Sequence, residues 1–321
     1  MNRRKFLEEL VRVLAGASSI APLIGCSNEE KKVKTPSNII IDGKKYSVSD
    51  GMISQEKSIS NSLKIGILAD THANSENTRF FANQLLNEKV DAFILAGDLS
   101  WSFGDYEGSK DDYNEIVSVV ESVAETGKLV LTYPGNHEQR VSYSKALEYL
   151  AKVHTNVIDM ERIPVADLNG LTIVGLGGND NAQFNVPEGY LRSKADFDKL
   201  SELAKKYQRD IPLLFATHIP MRYSTKNGLD VIEGGKNNVG GIDLATIRKA
   251  LGSKFGVSGH IHEAYGIIGQ DEQPIKQGEL VDRLDINPGA VFDHLQRKHL
   301  KPGAGMLEFV GKKARAHILN R

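Results

Sequence analysis

The feature of this sequence that most constrains its fold is a series of short apolar runs, each of which ends in polar side chains. In the segment Lys128–Arg140, the first apolar residues have the aliphatic and β-branched character of a buried strand. The pair Pro134-Gly135 stops that run, so the strand ends in a tight turn. The turn carries an amide and an imidazole, Asn136 and His137, which are both suited to ligating a metal ion.

Two earlier apolar runs, residues 63–69 and 90–96, end in Asp70-Thr71-His72 and in Gly97-Asp98. Amphipathic helical patterns separate the three runs. Strands that alternate with helices at this spacing form right-handed crossovers and a parallel sheet. We therefore expect the polar residues to meet at the carboxyl edge of that sheet, where open α/β sheets place their ligands.

The second half of the chain indicates a second sheet. Residues 163–174 form a hairpin pattern around Asn169-Gly170, and the last residues form a closing hairpin around Gly311. Two further apolar runs end in Thr217-His218 and in Gly259-His260-Ile261-His262. The sequence thus predicts an α/β (α+β) fold in which two mixed sheets face each other with helices outside, in a domain that spans residues 63–321.

Five of the nine histidines fall at the ends of predicted strands. In Asp70-x-His72 and His260-x-His262 the two side chains are alternate residues, which point the same way in an extended segment. Carboxylate, imidazole and amide ligands without thiolate suit Mn, Fe or Zn, and there are more of them than one ion needs. The candidate metal ligands are Asp70, His72, Asp98, Asn136, His218, His260 and His262.

The composition is typical of a soluble globular protein with ample core. The chain has 321 residues, of which 40% are hydrophobic and 25% charged. The net charge of −1 gives no indication of a nucleic-acid partner. The single cysteine, Cys26, excludes an intramolecular disulfide and a zinc–thiolate cluster.

Residues 1–25 have the features of a signal peptide. A basic start with Arg3-Arg4-Lys5 resembles a twin-arginine export motif, and Leu23-Ile24-Gly25-Cys26 resembles a bacterial lipobox. We expect a lipid on Cys26, a tether with a small hairpin over residues 26–62, and a place in the bacterial cell envelope, on the periplasmic or extracellular face. The alternative is an amphipathic amino-terminal helix with a buried thiol.

Five short motifs of this sequence resemble the five blocks of the calcineurin-like metallophosphoesterase superfamily. In chain order they are Asp-x-His, Gly-Asp, Gly-Asn-His-Glu, His and Gly-His-x-His. Three segments are similar to those of a prokaryotic branch of small phosphoesterases within this superfamily: Gly175-Leu176-Gly177-Gly178, Gly259-His260-Ile261-His262-Glu263 and Asn287-Pro288-Gly289. The resemblance implies a four-layer αββα sandwich with two metal ions bridged by Asp98. One ion would be held by Asp70, His72, Asp98 and His262. The other would be held by Asp98, Asn136, His218 and His260.

The resemblance also implies a reaction, the hydrolysis of small-molecule phosphodiesters or phosphomonoesters by a metal-bridging hydroxide. His137 has no metal in this assignment, so we expect it to protonate the leaving oxygen; the alternative is a structural role behind the ligands. Glu138 is expected to cap the turn. A cyclic-nucleotide phosphodiesterase or nucleotidase is the first expectation and a nuclease the second. The rival class is a membrane-anchored, metal-stabilised binding protein without turnover.

Departures from the resemblance bear on the substrate. Gly97-Asp98 is followed by Leu99-Ser100-Trp101, which disfavours a protein phosphatase and leaves no tyrosine ligand of the purple acid phosphatase type. Trp101, with Phe103 and Tyr106, either stacks on a nucleobase or packs within its loop. Arg222 either reaches a phosphate or is a solvated cation. The sequence predicts neither the substrate-binding residues nor the oligomeric state.

Overall fold

The computed structural model describes residues 37–56, 62–101, 109–232, 237–292 and 300–321. The predicted signal peptide, Cys26 and the start of the tether lie outside these residues, as do Phe103 and Tyr106. Within the described ranges, no helix has the length and apolar character needed to cross a membrane.

The described residues form fifteen strands and five α-helices, and strands and helices alternate from β4 to β7. The strands are β1 (Ser37–Ile41), β2 (Lys44–Ser49), β3 (Met52–Gln55), β4 (Ser62–Leu68), β5 (Ala92–Ala96), β6 (Leu129–Tyr133), β7 (Val157–Asp159), β8 (Val165–Leu168), β9 (Leu171–Leu176), β10 (Leu213–Thr217), β11 (Phe255–Val257), β12 (Gly266–Ile268), β13 (Leu284–Asn287), β14 (Gly303–Val310) and β15 (Lys313–Asn320). The helices are α1 (Ser75–Asn87), α2 (Ser109–Ala124), α3 (Arg140–Val153), α4 (Lys194–Tyr207) and α5 (Ile242–Ala250).

A six-stranded sheet contains the first three predicted strands. Its order is β15-β14-β4-β5-β6-β7, and β4, β5, β6 and β7 pair in parallel. Helices α1 and α2 connect β4 to β5 and β5 to β6. The carboxyl ends of β4, β5 and β6 therefore lie side by side, as the alternating pattern predicts. The closing hairpin, β14 and β15, joins this sheet through the antiparallel pairing of β14 with β4.

A nine-stranded sheet contains β8 to β13 of the second half together with the amino-terminal strands β1 to β3. Its order is β1-β2-β3-β8-β9-β10-β11-β13-β12, with β9, β10, β11 and β13 parallel. The predicted hairpin around Asn169-Gly170 is confirmed as the antiparallel pair β8 and β9. The amino-terminal hairpin around Asp42-Gly43 is also present, and β3 continues it by pairing in parallel with β8. This hairpin is therefore part of the larger sheet.

The main core lies between the two sheets. Ile65, Ile94 and Leu131 of one sheet and Ile173 and Leu214 of the other are fully buried in the same apolar cluster. A second cluster packs α1, α2 and α3 on the outer face of the smaller sheet, and a third packs α4 and α5 on the larger sheet. The predicted fold class, two facing mixed sheets with helices outside, is confirmed.

Candidate metal centre

The predicted ligands converge where strands of both sheets end. Asp70 and His72 follow β4, Asp98 follows β5, Asn136 and His137 follow β6, His218 follows β10, and His260 and His262 follow β11. The ligand atoms of their carboxylates and imidazoles fall into three overlapping groups in which all atoms lie within 4.8 Å of one another. These groups are Asp70, His72 and His262; His72, Asp98 and His137; and Asp98, His218 and His260.

Four of these residues have a left-handed backbone. The φ angles are 50° at Asp70, 41° at His72, 50° at Asp98 and 68° at His260. Residues other than glycine rarely adopt this region, and such conformations cost of order 1–3 kcal/mol each when they are strained. Their concentration at one place indicates that the surrounding fold holds the strand ends in position for a function.

Asp98 is the carboxylate shared between the groups. Its Oδ1 accepts hydrogen bonds from the backbone N–H of Asn136 at 2.8 Å and of His137 at 3.0 Å. The same oxygen lies 3.3 Å from His218 Nε2, and Oδ2 lies 3.9 Å from the Nε2 atoms of His72 and His137. Burial alone would raise the pKa of Asp98, but the facing imidazoles of His218 and His137 hold it well below the usual value.

His72 and His262 direct ring nitrogens at each other. Their Nε2 atoms are 3.5 Å apart, and His262 Nε2 is also 3.5 Å from Asp70 Oδ1. The Nδ1 of His72 lies 3.3 Å from the carbonyl oxygen of Ser100, which places the proton on Nδ1 and the lone pair on Nε2. Burial holds the pKa of His72 well below 6.5, so this lone pair is available to a cation.

The contacts of His218 also indicate whether a metal ion fits this site. Its Nδ1 lies 2.8 Å from the carbonyl oxygen of Ala96, so Nδ1 carries a proton. Its Nε2 then faces two acceptors, Asn136 Oδ1 at 2.9 Å and Asp98 Oδ1 at 3.3 Å. Only a proton or a metal cation makes that arrangement favourable. Burial lowers the pKa of His218, but Asp98 outweighs it and raises the pKa to about 9 in the absence of metal.

Asn136 and His260 complete this side of the centre. The amide nitrogen of Asn136 donates to the carbonyl oxygen of Phe184 at 2.6 Å, which turns Oδ1 towards His218. The backbone N–H of His260 donates to both carboxylate oxygens of Asp70 at 3.0 Å. Burial, and then the charge of His218, lower the pKa of His260 to about 3, so its ring is neutral and able to ligate. The donor set therefore fits metal ions.

Two glycines leave room for the ligands. A β-carbon on Gly135 would overlap the carboxylate and backbone of Asp98. Gly97 has a φ of +83°, and a β-carbon there would lie 2.5 Å from His218 Nδ1. The Gly-Asp and Gly-Asn-His-Glu motifs therefore require glycine because the strand ends approach each other too closely for a side chain.

Glu138 joins two of the loops. Its buried Oε1 accepts hydrogen bonds from the backbone N–H of Ser100 at 2.9 Å and from the Ser100 hydroxyl at 3.2 Å. Its Oε2 accepts from the backbone N–H of Gly135 at 2.5 Å. Burial, followed by the charge of Asp98, raises the pKa of Glu138 to about 8. Glu138 caps its own turn, as expected from the sequence, and also holds the loop that follows β5.

The structure adds two residues that sequence reasoning missed. Asn179 follows β9 and is 2% exposed, and its amide nitrogen lies 3.0 Å from His260 Nε2. It sits at a strand end, so the same positional signal could have found it. Phe292 lies beyond β13, and its ring centroid is 4.6 Å from that of His72. No local pattern marks Phe292, because only tertiary packing brings it to the centre.

Arg222 lies in a loop that its own side chain helps to build. Its Nε donates to the carbonyl oxygen of Gly240 at 2.8 Å and lies 3.9 Å from the buried Asp230 carboxylate. Asp230 also accepts hydrogen bonds from the backbone N–H groups of Tyr223 and Gly240. These contacts give Arg222 a structural role in the loop that follows His218.

Comparisons with known proteins agree with this fold and identify a family. A family profile described as calcineurin-like phosphoesterase matches residues 63–264. The solved structure of TT1561 of Thermus thermophilus superposes with a TM-score of 0.55 at 13% identity, covering 79% of this chain and 98% of that chain. A dimetal phosphatase from Danio rerio superposes with a TM-score of 0.51 at 12% identity, covering 80% and 98%. At these identities the likeness is one of fold. No curated protein matches the sequence.

Proposed function

The chain belongs to the calcineurin-like phosphoesterase family and is a metal-dependent phosphoric ester hydrolase, and we propose that it uses two metal ions to hydrolyse small-molecule phosphodiesters or phosphomonoesters. The observation that carries this proposal is the sharing of Asp98 between two of the groups of potential ligands that converge from both sheets. A lone structural metal would need neither that shared carboxylate nor so many donors.

The proposed first ion is held by Asp70, His72, Asp98 and His262, and the second by Asp98, Asn136, His218 and His260. The distances among these side chains, 2.9 to 3.9 Å where they face each other, support both groupings. Imidazole and carboxylate donors favour Mn, Fe or Zn. When bound, two such ions lower the pKa of a water molecule and neutralise the phosphoryl oxygens.

His137 is the proposed general acid. Its side chain is 15% exposed, and its Nε2 lies 3.9 Å from Asp98 Oδ2, so the ring borders the ligands and still reaches the mouth of the centre. Its backbone N–H donates to Asp98 Oδ1, which ties the position of His137 to the shared carboxylate. In this role Nε2 gives a proton to the leaving oxygen as the phosphorus–oxygen bond breaks.

Replacing His137 with alanine separates this role from metal ligation. We expect the turnover number to fall by roughly 10²–10⁴-fold for an ester with a poor leaving group, with the metal content unchanged. An ester of p-nitrophenol should be affected much less, because its leaving group needs little protonation. Loss of a metal ion from His137→Ala would instead make His137 a ligand, as its proximity to His72 and Asp98 also allows.

We also propose a localisation for the protein, and the support for it comes from the sequence alone. The lipobox-like segment before Cys26 would place the enzyme on a lipid anchor in the bacterial cell envelope, facing the periplasm or the exterior. Nucleotides are the first candidate substrates in either place, cyclic or linear.

Metal content and hydrolysis, measured together, test the proposed function. The metal content of the purified protein is measured by mass spectrometry, and turnover is measured with bis-p-nitrophenyl phosphate and p-nitrophenyl phosphate. About two transition-metal ions per chain with turnover are expected, and the diester-to-monoester ratio indicates the substrate class. One ion or none after reconstitution, without turnover of either ester, would support a metal-stabilised binding protein.

A further inference from the structure

Two aromatic side chains form an apolar corner beside the metal centre. The Trp101 side chain is large and apolar, yet Trp101 is 43% exposed. Its ring centroid lies 4.4 Å from that of His72 and 5.1 Å from that of Phe292. Phe292 in turn lies 4.6 Å from His72 and 5.4 Å from His262. We refer to Trp101 and Phe292 as the aromatic corner.

The backbone of Trp101 is held in place from two sides. Its N–H donates to the carboxylate of Glu115, on α2, at 2.9 Å. The preceding residue, Ser100, is held by Glu138 through two hydrogen bonds. An exposed indole on an anchored backbone can bind a ligand without losing much conformational entropy, since its two side-chain torsions are already restricted by the neighbouring rings.

The aromatic corner stands on the side where the leaving group departs. A general acid must lie within hydrogen-bonding reach of the leaving oxygen, so that oxygen is next to His137 Nε2. The Trp101 ring centroid is 6.3 Å from that of His137, and the two ring planes differ by only 26°. A group attached to the leaving oxygen therefore emerges beside the face of the indole.

We propose that the aromatic corner binds a flat ring in the leaving group, so that the preferred substrates are phosphoesters of alcohols that carry an aromatic ring. Nucleotides belong to this class, and phosphoesters of aliphatic alcohols do not. The inference rests on the proposed function, because it uses the side of the centre at which His137 acts. Offset stacking of two rings adds to simple apolar burial, which is why a flat ring is favoured over a saturated ring of similar size.

The test compares two phosphonates that cannot be hydrolysed, benzylphosphonate and cyclohexylmethylphosphonate. They have the same charge and nearly the same size, and they differ in whether the ring is flat. We expect the metal-loaded protein to bind the benzyl compound about fivefold to tenfold more tightly. Trp101 is the only tryptophan in the chain, so a change in its fluorescence should accompany binding.

Variants assign the preference to a side chain. Trp101→Ala should lose most of the preference, because only Phe292 of the aromatic corner remains, and Trp101→Phe should keep more of it; calorimetry gives their dissociation constants. The matched control is Phe184→Ala, because Phe184 is another exposed aromatic residue but lies on the opposite group of ligands, with its ring 6.1 Å from that of His260. The control should keep the full preference.

The outcomes separate this inference from the function on which it rests. Equal binding of the two phosphonates by the parent protein, or a preference that is unchanged in Trp101→Ala, overturns the aromatic corner as the leaving-group site. A preference that is lost in Phe184→Ala but kept in Trp101→Ala also overturns this inference, because the leaving group would then lie beside His260. If the metal-loaded protein binds neither phosphonate nor inorganic phosphate, the proposed function itself fails.

Discussion

At the scale of the residue, the centre depends most on Asp98. The carboxylate lies within reach of His72, His137 and His218, and its Oδ1 also accepts the two backbone hydrogen bonds that hold the turn after β6. Its contribution is therefore both electrostatic and structural. An amide at this position would keep one acceptor but would remove the charge that two cations need.

Asp98→Asn should remove both metal ions. The reason is that one uncharged amide oxygen cannot bridge two cations as a carboxylate does. Metal analysis of the purified variant measures this, with Asp159→Asn as the control because Asp159 is also a buried carboxylate but lies on β7. A variant that still holds two ions would contradict the bridging role of Asp98.

Asp159 is a second residue whose environment has a measurable consequence. It accepts hydrogen bonds from the Tyr143 hydroxyl at 3.2 Å and from the backbone N–H of Glu161 at 3.0 Å. Burial, and then the charge of Glu161, raise its pKa from 3.8 to about 7. The folded protein therefore retains a proton on this carboxyl group in a pH range where the unfolded chain has lost it.

Because the pKa of Asp159 is higher in the folded protein than in the unfolded chain, its contribution to the free energy of unfolding should decrease as the pH rises. A carboxyl group with a raised pKa in the folded state stabilises the fold below pH 4 relative to pH 7, and this contribution is lost as the pH rises from about 4 to about 7. Asp159→Asn lacks the titration. The free energy of unfolding of the parent should therefore decline relative to that of the variant by an amount on the order of 2–4 kcal/mol across this range.

Denaturant titrations of both proteins at a series of pH values measure the difference. All other ionisable groups are common to the two proteins, so their contributions cancel unless they contact Asp159. If the free energies of unfolding of the two proteins change in parallel between pH 4 and pH 7, Asp159 ionises normally in the folded state.

At the scale of the element, the centre is built from loops that follow neighbouring strands. The loops after β5 and β6 are held together by the side chain of Glu138, which spans from Gly135 to Ser100. The β4 loop joins them through the backbone N–H groups of Asp70 and His72, which donate to the carbonyl oxygens of Gly97 and Asp98. The ligand geometry therefore depends on contacts between loops as well as on the sheets.

Glu138→Ala should destabilise the protein and weaken metal binding together. The substitution leaves two buried N–H groups, of Ser100 and Gly135, without their acceptor, at a cost of about 1–3 kcal/mol each. Glu138→Gln keeps one acceptor oxygen and should be intermediate. Thermal unfolding with and without metal gives both quantities. Unchanged metal affinity in Glu138→Ala would show that the two loops hold their positions without this link.

At the scale of the whole molecule, the order of strands separates the amino-terminal end from the centre. β1 is an edge strand of the nine-stranded sheet, five strand positions from β10, which carries His218 at its end. At about 4.8 Å between neighbouring strands, this is a distance of roughly 24 Å. A tether that joins the domain at β1 is therefore attached away from the strand end that carries His218.

Cys26→Ala tests the proposed anchor. We expect the natural protein to sediment with membranes after expression in a bacterium with lipoprotein processing, and the variant to stay in the soluble fraction. Because the tether enters far from the centre, the turnover number of the soluble variant on a water-soluble ester should match that of the anchored protein. A parent protein that is already soluble, with an unmodified Cys26, would contradict the lipid anchor.

The sequence by itself determined the elements whose patterns are long and local. Three alternating strands and helices predicted the parallel part of the smaller sheet, and Asn169-Gly170 and Gly311 predicted two hairpins, because period and turn chemistry are properties of short segments. It also placed the candidate ligands at strand ends. The strands β3, β7, β12 and β13 were not predicted; each has only three or four residues, and no recognised hairpin turn or histidine motif marked its end.

Only the tertiary structure decided which strand ends meet. Asp70 and His260 are 190 residues apart, and their contact depends on two sheets facing each other across one core. The same packing brings Phe292 to His72. The order of strands within each sheet brings Asn179 to His260 and makes Glu138 a link between the loops after β5 and β6. Strand order and the burial of the two sheets against each other are properties of the whole chain, and they leave no periodic pattern in a local segment.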